Sequence, residues 1–338
     1  MNRLLIFGLG YCGRAVAEAV SGGVPGFEIV ATSRSEVAGT GRGPAGQFLR
    51  LRAAPDGPVE PGHDELRGPA ATSNLTLSML PGPLGPNARD GAVPLVPFDA
   101  AEPAIATATH ILVTAAPTET GDPVLHRYEA AIAAAPDLRW IGYLSSTVVY
   151  GDRDGGWVDE DTPPAPSQPR GQRRLDAETA WSRFADRRAI DIFRLAGIYG
   201  PGRSAFDDLR AGRARRMLKP GHQFGRIHRD DIGRAIAAAM RQPRPPGRRV
   251  FNLADDVPSE SADVVTEAAR LMNLPPPPLV RFEDALPAMS PMARSFWAEN
   301  RKVASEKTQQ ALGLRWLHPS FREGLAAIWR QESGEGPP

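Results

Sequence analysis

The sequence predicts an α/β protein with a doubly wound parallel sheet, and three observations carry that expectation. Short apolar runs of strand length alternate with segments of helical spacing along most of the 338 residues. The first run is followed at once by a glycine-rich turn that opens a helix. Glycine and proline gather in the connections between the runs rather than inside them.

Each element can be justified in chain order. Residues 3–7 (RLLIF) are apolar throughout, as a strand covered on both faces must be. YCGRAVAEAV then has helical spacing, and FEIVATS at 27–33 reads as the second strand. Periodicity lapses over 36–92, in GTGRGPAG, APDGPVEPG and LPGPLGPN. So long a structureless stretch is uncommon inside a compact domain, so it is read as an insertion, partly mobile. It has room for one short helix or hairpin, in QFLRLRA or LTLSML. Order returns with the strands AVPLVPFD and HILVTAAP, the helix PVLHRYEAAIAAA and the strand RWIGYLSST. PSQPRGQRRLDAE leads into the helix RRLDAETAWSRFAD, and the strand AIDIFRLAGIYG follows. Helical DDLRAGRARRML and HRDDIGRAIAAAM precede the strand RRVFNLADD and the helix SADVVTEAARLM. Two more helical segments lie around 295–312 and 320–331. This order implies a Rossmann-like half in residues 1–200 and a smaller, interleaved C-terminal α/β substrate part in 201–335, with 227–255 returning to the core.

Composition narrows the function. Formal net charge is +1, which argues against nucleic acid as a partner of the whole protein. RAGRARR, carrying Arg210, Arg213, Arg215 and Arg216, is a local basic patch without interleaved aromatics. It suits a small anionic molecule better. Cys12 is the single cysteine, so no intramolecular disulfide framework exists. No run approaches the ~20 apolar residues of a membrane span. The opening MNRLLIFGLG is too quickly broken by glycine for a signal peptide, so a cytoplasmic protein with no membrane partner is expected. The six histidines show no metal-ligand spacing in sequence, and no metal is expected.

Gly8-Leu9-Gly10-Tyr11-Cys12-Gly13 matches G-x-G-x-x-G in the required strand–turn–helix context. Glycines there permit the tight turn, the close approach of backbone to a pyrophosphate, and helix packing on the strand. The helix N-terminus supplies oriented N–H groups. At the end of the second strand stand Thr32, Ser33 and Arg34, where an acidic residue would select the ribose 2′-hydroxyl of NAD. A hydroxyl and an arginine favour a 2′-phosphate, so NADP is the expected cofactor, with NAD as the other possibility. Ser145 and Ser146 close the strand RWIGYLSST, at the carboxyl end where open parallel sheets bind ligands.

Several stretches together resemble the extended, epimerase/dehydratase-type short-chain dehydrogenases/reductases. They are GLGYCG, LSSTVVYG, FRLAGIYGPGR at 193–203, RIHRDDIGRAI at 226–236, VFNLADD at 250–256 and NRKVASEKTQQALGLRW in the tail. The resemblance spans nearly the whole chain apart from 36–92. It implies a Rossmann core, a dinucleotide cofactor and a substrate part. Ser146 falls where that family keeps the hydroxyl that bonds a substrate oxygen. Asp99 falls where a side chain meets adenine, and Ala115 and Ala116 where backbone lines the cofactor. Leu195, Ala196 and Ile198 fall beside the nicotinamide. The segment from Arg213 to His228, with Arg226 in it, resembles the part that holds the distal end of a substrate, often a nucleotide diphosphate; Arg203 is a further possible substrate contact. The resemblance also implies a homodimer through the helices after the fourth and fifth strands.

The chain departs from that family where chemistry is done. The family carries Tyr-x-x-x-Lys on the helix after LSSTVVYG, and those positions are Arg170 and Arg174 here. No tyrosine of this chain has a lysine four residues on, and Lys219, Lys302 and Lys307 lie far from that helix in sequence. Arginine binds anions and hydroxyls but stays protonated, so it cannot serve as the base. Its glycines also depart from the usual GxxGxxG spacing. Ser146, Tyr150, Arg170 and Arg174 form the expected catalytic set, with Tyr143 and His228 as other acid/base candidates. Two functions follow: an NAD(P)-dependent oxidoreductase or epimerase/dehydratase-like enzyme acting on an anionic small molecule such as a nucleotide sugar, or a dinucleotide-binding sensor that kept the fold and lost turnover.

Overall fold

The computed structural model describes residues 1–33, 47–50 and 92–334. Its main sheet has eight strands: β1 (Asn2–Phe7), β2 (Phe27–Ser33), β3 (Gln47–Arg50), β4 (Ala92–Pro97), β5 (His110–Val113), β6 (Trp140–Ser146), β7 (Ala189–Leu195) and β8 (Gly247–Leu253). Their order is β8-β7-β6-β5-β1-β2-β4-β3. Seven pair in parallel, and β3 closes the edge antiparallel to β4. Strand order reverses between β1 and β5, the point in an open parallel sheet outside whose strand carboxyl ends ligands bind.

Side-chain alternation in β1 explains why helices cover both faces. Leu4 and Ile6 point into one core, and Leu5 and Phe7 into another. Two helices fill the first core: α1 (Tyr11–Gly23) with Val16 and Val20, and a later helix, Arg229–Arg241, with Ile232 and Ile236. The second core is filled by α2 (Pro123–Ala134) with Leu125 and Tyr128, and by α3 (Pro169–Ser182) with Ala177 and Trp181. The helix Arg229–Arg241 is α4 in chain order.

The remaining chain builds a smaller body. Strand Arg216–Leu218 pairs in parallel with Leu279–Arg281. Helices α5 (Ser261–Leu271) and α6 (Phe321–Ser333) share a core with Tyr199 and Phe206. A short helix, Pro291–Trp297, buries Trp297 against Met217 and Ala285.

Three stretches differ from expectation. AIDIFRLAGIYG is two strands: β7 pairs with β6 and β8, whereas Gly197–Tyr199 leaves the sheet to pair with Arg226–His228. DDLRAGRARRML is helical only to Arg210, because Gly212 (φ 64°) takes a left-handed conformation and ends the helix. The helical segment expected around 295–312 is two helices, Pro291–Trp297 and Glu306–Leu312, with the strand Lys302–Val303 between them. Within 36–92, QFLR forms β3, at one of the two places with room for a short helix or hairpin; residues 34–46 and 51–91 lie outside the described residues.

Candidate active site and dinucleotide crevice

The cradle forms where β1 ends. Gly8 has φ 98°, and a Cβ there would stand 2.7 Å from Thr114 Oγ1. That hydroxyl donates to the Gly8 carbonyl (2.6 Å), while the Gly8 N–H donates to Thr32 Oγ1 (3.1 Å). Thus the ends of β1, β2 and β5 are tied together at one turn. A Cβ on Gly13 would lie 2.4 Å from the Gly8 carbonyl oxygen, so α1 packs as close to the turn as backbone allows. Among the described residues, a Cβ on Gly10 would meet nothing within 4 Å. Gly10 caps α1 with no side-chain hydrogen bond, and no acidic residue occupies the first turn. Amides without a partner among the described residues and open space at a helix N-terminus fit a pyrophosphate.

Tyr11 and Cys12 open α1 directly after this turn. Tyr11 is half-buried; its hydroxyl donates to the Pro201 carbonyl (3.1 Å), and the Arg229 and Arg203 guanidiniums lie 5.4 and 5.8 Å from its ring centre. Tyr11 therefore fastens the cradle to the loop after Gly197–Tyr199. Burial raises the Tyr11 phenol and the Cys12 thiol, which keeps both protonated. Ser33 is half-buried at the end of β2, and Asp99 is exposed in the turn after β4. Ala115 and Ala116 follow β5, and the Ala115 amide nitrogen lies 3.8 Å from where a Gly8 Cβ would stand. Arg34 lies outside the described residues.

A cavity of about 510 Å³ opens beyond the ends of β6 and β7. It brings together Ser146, Arg170, Leu195, Ala196, Ile198 and Arg226, which are far apart in sequence. Ser146 ends β6, and its Oγ accepts a long hydrogen bond from the Val148 amide (3.4 Å). Arg170 lays its guanidinium 4.4 Å from the Phe296 ring centre and donates from Nη2 to the Ser295 carbonyl (3.3 Å). Its Nε is buried and finds no partner among the described residues. Burial lowers the Arg170 pKa while Glu299 opposes that; an arginine remains a cation nonetheless.

Arg174 is turned to a different task. Its Nη1 donates to the Leu144 carbonyl (2.8 Å) and the Tyr143 hydroxyl (3.0 Å), so it holds the end of β6 rather than lining the cavity. Arg226 donates to Ser259 Oγ (2.5 Å) and to the Phe224 and Ser259 carbonyls, and burial lowers its pKa. Arg226, Tyr199 and Ser261 also line an adjoining cavity of about 430 Å³, where Arg203 and Arg213 lie. Arg213 is paired there with Asp208 (3.1 Å).

Three expectations are corrected. Tyr150 is fully buried, its hydroxyl donates to Asn252 Oδ1 (2.7 Å), and Arg194 lies 4.8 Å from its ring centre. Burial raises its pKa, and a phenol sealed in the core cannot reach a substrate. Tyr143 is equally enclosed, beneath Arg174 and against Trp181. His228 is 2 % exposed and caps α4 by accepting from the Asp230 amide (3.3 Å). Burial, helped by His318 and Arg229, pulls its pKa down to about 3, so it is a neutral capping residue outside both cavities.

The cavity also holds residues with no signal in the sequence. Glu299 is the carboxylate among the cavity's lining residues. Its Oε1 accepts from Ser167 Oγ (2.6 Å), and its Oε2 pairs with Arg301 (2.8 Å). Phe296 and Trp297 complete the apolar wall. These come from a tail segment with no local signal; only its return across the sheet ends makes it part of the site.

No family model matches the chain. It is 32 % identical over 148 residues to Protein YeeZ of Escherichia coli K12, covering 43 % of this chain. The chain spans about half the length of the curated relatives it matches. A functionally unknown conserved protein from Silicibacter pomeroyi has a solved structure similar over 99 % of this chain and 100 % of its own, with 35 % identity and TM-score 0.75. MoeE5, solved with UDP-glucuronic acid and NAD, is similar over 98 % of this chain and 100 % of its own, at 18 % identity and TM-score 0.66. The human epimerase family protein SDR39U1, solved with NADPH, is similar over 97 % and 99 %, at 15 % identity and TM-score 0.66. No described helix is long and apolar enough to cross a membrane.

Proposed function

The chain belongs to the family of the Silicibacter pomeroyi protein and has the fold of the extended short-chain dehydrogenases/reductases, and from that premise we propose that it is an NAD(P)-dependent oxidoreductase or epimerase/dehydratase-like enzyme acting on an anionic small molecule. One observation supports this most directly. An uncapped helix N-terminus over Gly10 and a cavity holding Ser146, Arg170 and Arg226 both lie at the carboxyl ends of the sheet strands.

The cofactor, when bound, supplies or accepts a hydride. The chain's own residues do the rest. Amides of the first turn of α1 hold the pyrophosphate. The Ser146 hydroxyl donates a hydrogen bond to a substrate oxygen, since its present acceptor role leaves its proton free. Arg170 and Arg226 hold the anionic part, with Arg203 and Arg213 available to a longer substrate such as a nucleotide sugar. Arginine at both family positions removes the usual proton carrier, which supports the sensor reading as the second one.

The test is direct. Purified protein is melted with NADPH and with NADH, then assayed for NADPH consumption or NADP reduction across carbonyl, alcohol and nucleotide-sugar panels. A ligand at a hundredfold excess over its Kd adds about 2.7 kcal/mol of stability. Stabilisation with turnover supports the enzyme. Stabilisation without turnover across the panels supports the sensor, and stabilisation by neither dinucleotide overturns both.

A further inference from the structure

The histidines have no ligand spacing in sequence, yet two of them meet in space. His228, at the start of α4, and His318, just before α6, face each other with ring centres 4.0 Å apart. One ligand atom each from His228, Asp230 and His318 lies within 4.8 Å of the others. His228 Nδ1 is 3.6 Å from Asp230 Oδ2, too long for a hydrogen bond. The Asp230 amide donates to Nδ1 (3.3 Å), which leaves that nitrogen unprotonated, while Nε2 is buried and finds no partner among the described residues. We propose that His228, Asp230 and His318 form a site for a divalent first-row transition metal of the zinc class.

The donor set argues for that class. Two imidazole nitrogens and one carboxylate oxygen suit zinc, cobalt or nickel, whereas calcium and magnesium take oxygen donors. The fully buried Asp231 supports the arrangement. Its oxygens accept from the Leu317 amide (2.7 Å) and the His318 amide (3.0 Å), which pins the His318 backbone against the first turn of α4. Asp230 is half-exposed, so a fourth position stays open to water. Two features oppose a cation: the N-terminus of α4 and the Arg229 guanidinium, whose Nε lies 3.3 Å from Asp230. Arg229 is already paired with Glu18, and the Asp231 carboxylate beside the site is paired with Arg234 (3.1 Å). Donors around tetrahedral zinc, at about 2.0–2.2 Å from the metal, stand roughly 3.3–3.5 Å apart. Closure from separations of up to 4.8 Å therefore draws the groups together by as much as about 1.4 Å, through rotation of the exposed Asp230 and half-buried His318 side chains. Tyr199 stands edge-on to His228 (ring centres 5.2 Å apart) and also lines the substrate cavity. The metal's role is to clasp the segment before α6 to α4, behind the substrate cavity.

The full chain, stripped with EDTA, is titrated with Co²⁺ alone by visible absorption and with Zn²⁺ alone by calorimetry. One equivalent should bind, with the cobalt spectrum of a four-coordinate site bearing nitrogen donors. His318→Ala and Asp230→Asn should each weaken binding by at least about tenfold, while His126→Ala, on an exposed face of α2, changes nothing. Circular dichroism checks the fold of each variant; if His318→Ala does not fold, His318→Gln takes its place. An octahedral cobalt spectrum, no saturable binding by the folded wild type, or binding that survives both substitutions overturns the site.

Discussion

Substitutions at Gly10 and Gly13 should separate holding the fold from holding the cofactor. Gly10 has φ −76° and ψ −161°, which any residue adopts, and an added Cβ meets nothing within 4 Å among the described residues. Gly10→Ala should therefore leave stability unchanged or raise it by about 0.4–1 kcal/mol through the unfolded chain. The same methyl would stand where a pyrophosphate must approach the backbone. Forcing one methyl into a close contact costs about 1–3 kcal/mol, or roughly a five- to hundredfold weaker NADPH affinity. Gly13→Ala should do the reverse damage first. Its Cβ would lie 2.4 Å from the Gly8 carbonyl oxygen, a backbone atom that cannot swing aside. The β1–α1 turn must open, at a cost of about 1–3 kcal/mol or more and a melting temperature lower by roughly 2–4 °C per kcal/mol. Thermal denaturation reads the stabilities, and NADPH titration followed by calorimetry reads the affinities. If Gly10→Ala binds NADPH as tightly as the wild type, the cradle is not where the pyrophosphate lies. If Gly13→Ala melts with the wild type, the turn is not as tight as its geometry requires.

Three further outcomes are expected. Tyr150→Phe removes the donor to buried Asn252 Oδ1 and should cost about 1–3 kcal/mol in denaturant unfolding while leaving NADPH binding and turnover intact; lost turnover in a folded variant would restore Tyr150 as an acid/base. Arg170→Gln removes the cation over Phe296, a contact of roughly 0.5–2 kcal/mol, so amide exchange in the short helix 291–297 should quicken by about two- to thirtyfold. Unchanged exchange there would show that Arg170 does not hold that helix over the cavity. Burial pushes the Asp255 carboxyl up to about 8, so the folded chain holds a proton that the unfolded chain releases near pH 4. Stability from this group is full at low pH and falls as pH rises from about 4 to 8, by at most about 1.4 kcal/mol per pH unit. Asp255→Asn, which still accepts from the Arg226 amide, should remove that slope, and an identical pH profile for the variant would show that Asp255 is ionised in the folded chain.

The sequence made the first crossover legible because its signals are local. RLLIF, the glycines and the amphipathic α1 each state their role within a few residues, and the structure places them so. Ser146, Leu195, Ala196 and Ile198, which the family resemblance puts at one site, do line one cavity, since residues at the ends of paired parallel strands converge. What sequence could not give was the sidedness of irregular turns. In LSSTVVYG the chain turns through a single 3₁₀ step after Ser146, and that step sends Tyr150 into the core instead of the crevice. His228 was hidden likewise: a residue preceding a helix can cap it or face a ligand, and only the packing of His318 and Tyr199 against it decides. Glu299, Phe296 and Trp297 reach the site from the tail, a contact no local pattern encodes.

PSQPRGQRRLDAE joins both cases. Arg170 and Arg174 are four residues apart on α3 and so share a helix face. A shared face does not mean a shared partner. The first turn of α3 lies against the helix Pro291–Trp297, so Arg170 meets Phe296 and Ser295 at the cavity. One turn on, the same face meets the end of β6, and Arg174 spends two hydrogen bonds there. An arginine so engaged holds Leu144 and Tyr143 behind Ser146 and carries no proton to the substrate. Proton transfer in this cavity therefore needs a group outside α3. Among the described lining residues Glu299 is the one carboxylate; Ser167 and Arg301 each occupy one of its oxygens, and each oxygen keeps a second acceptor site open to the cavity.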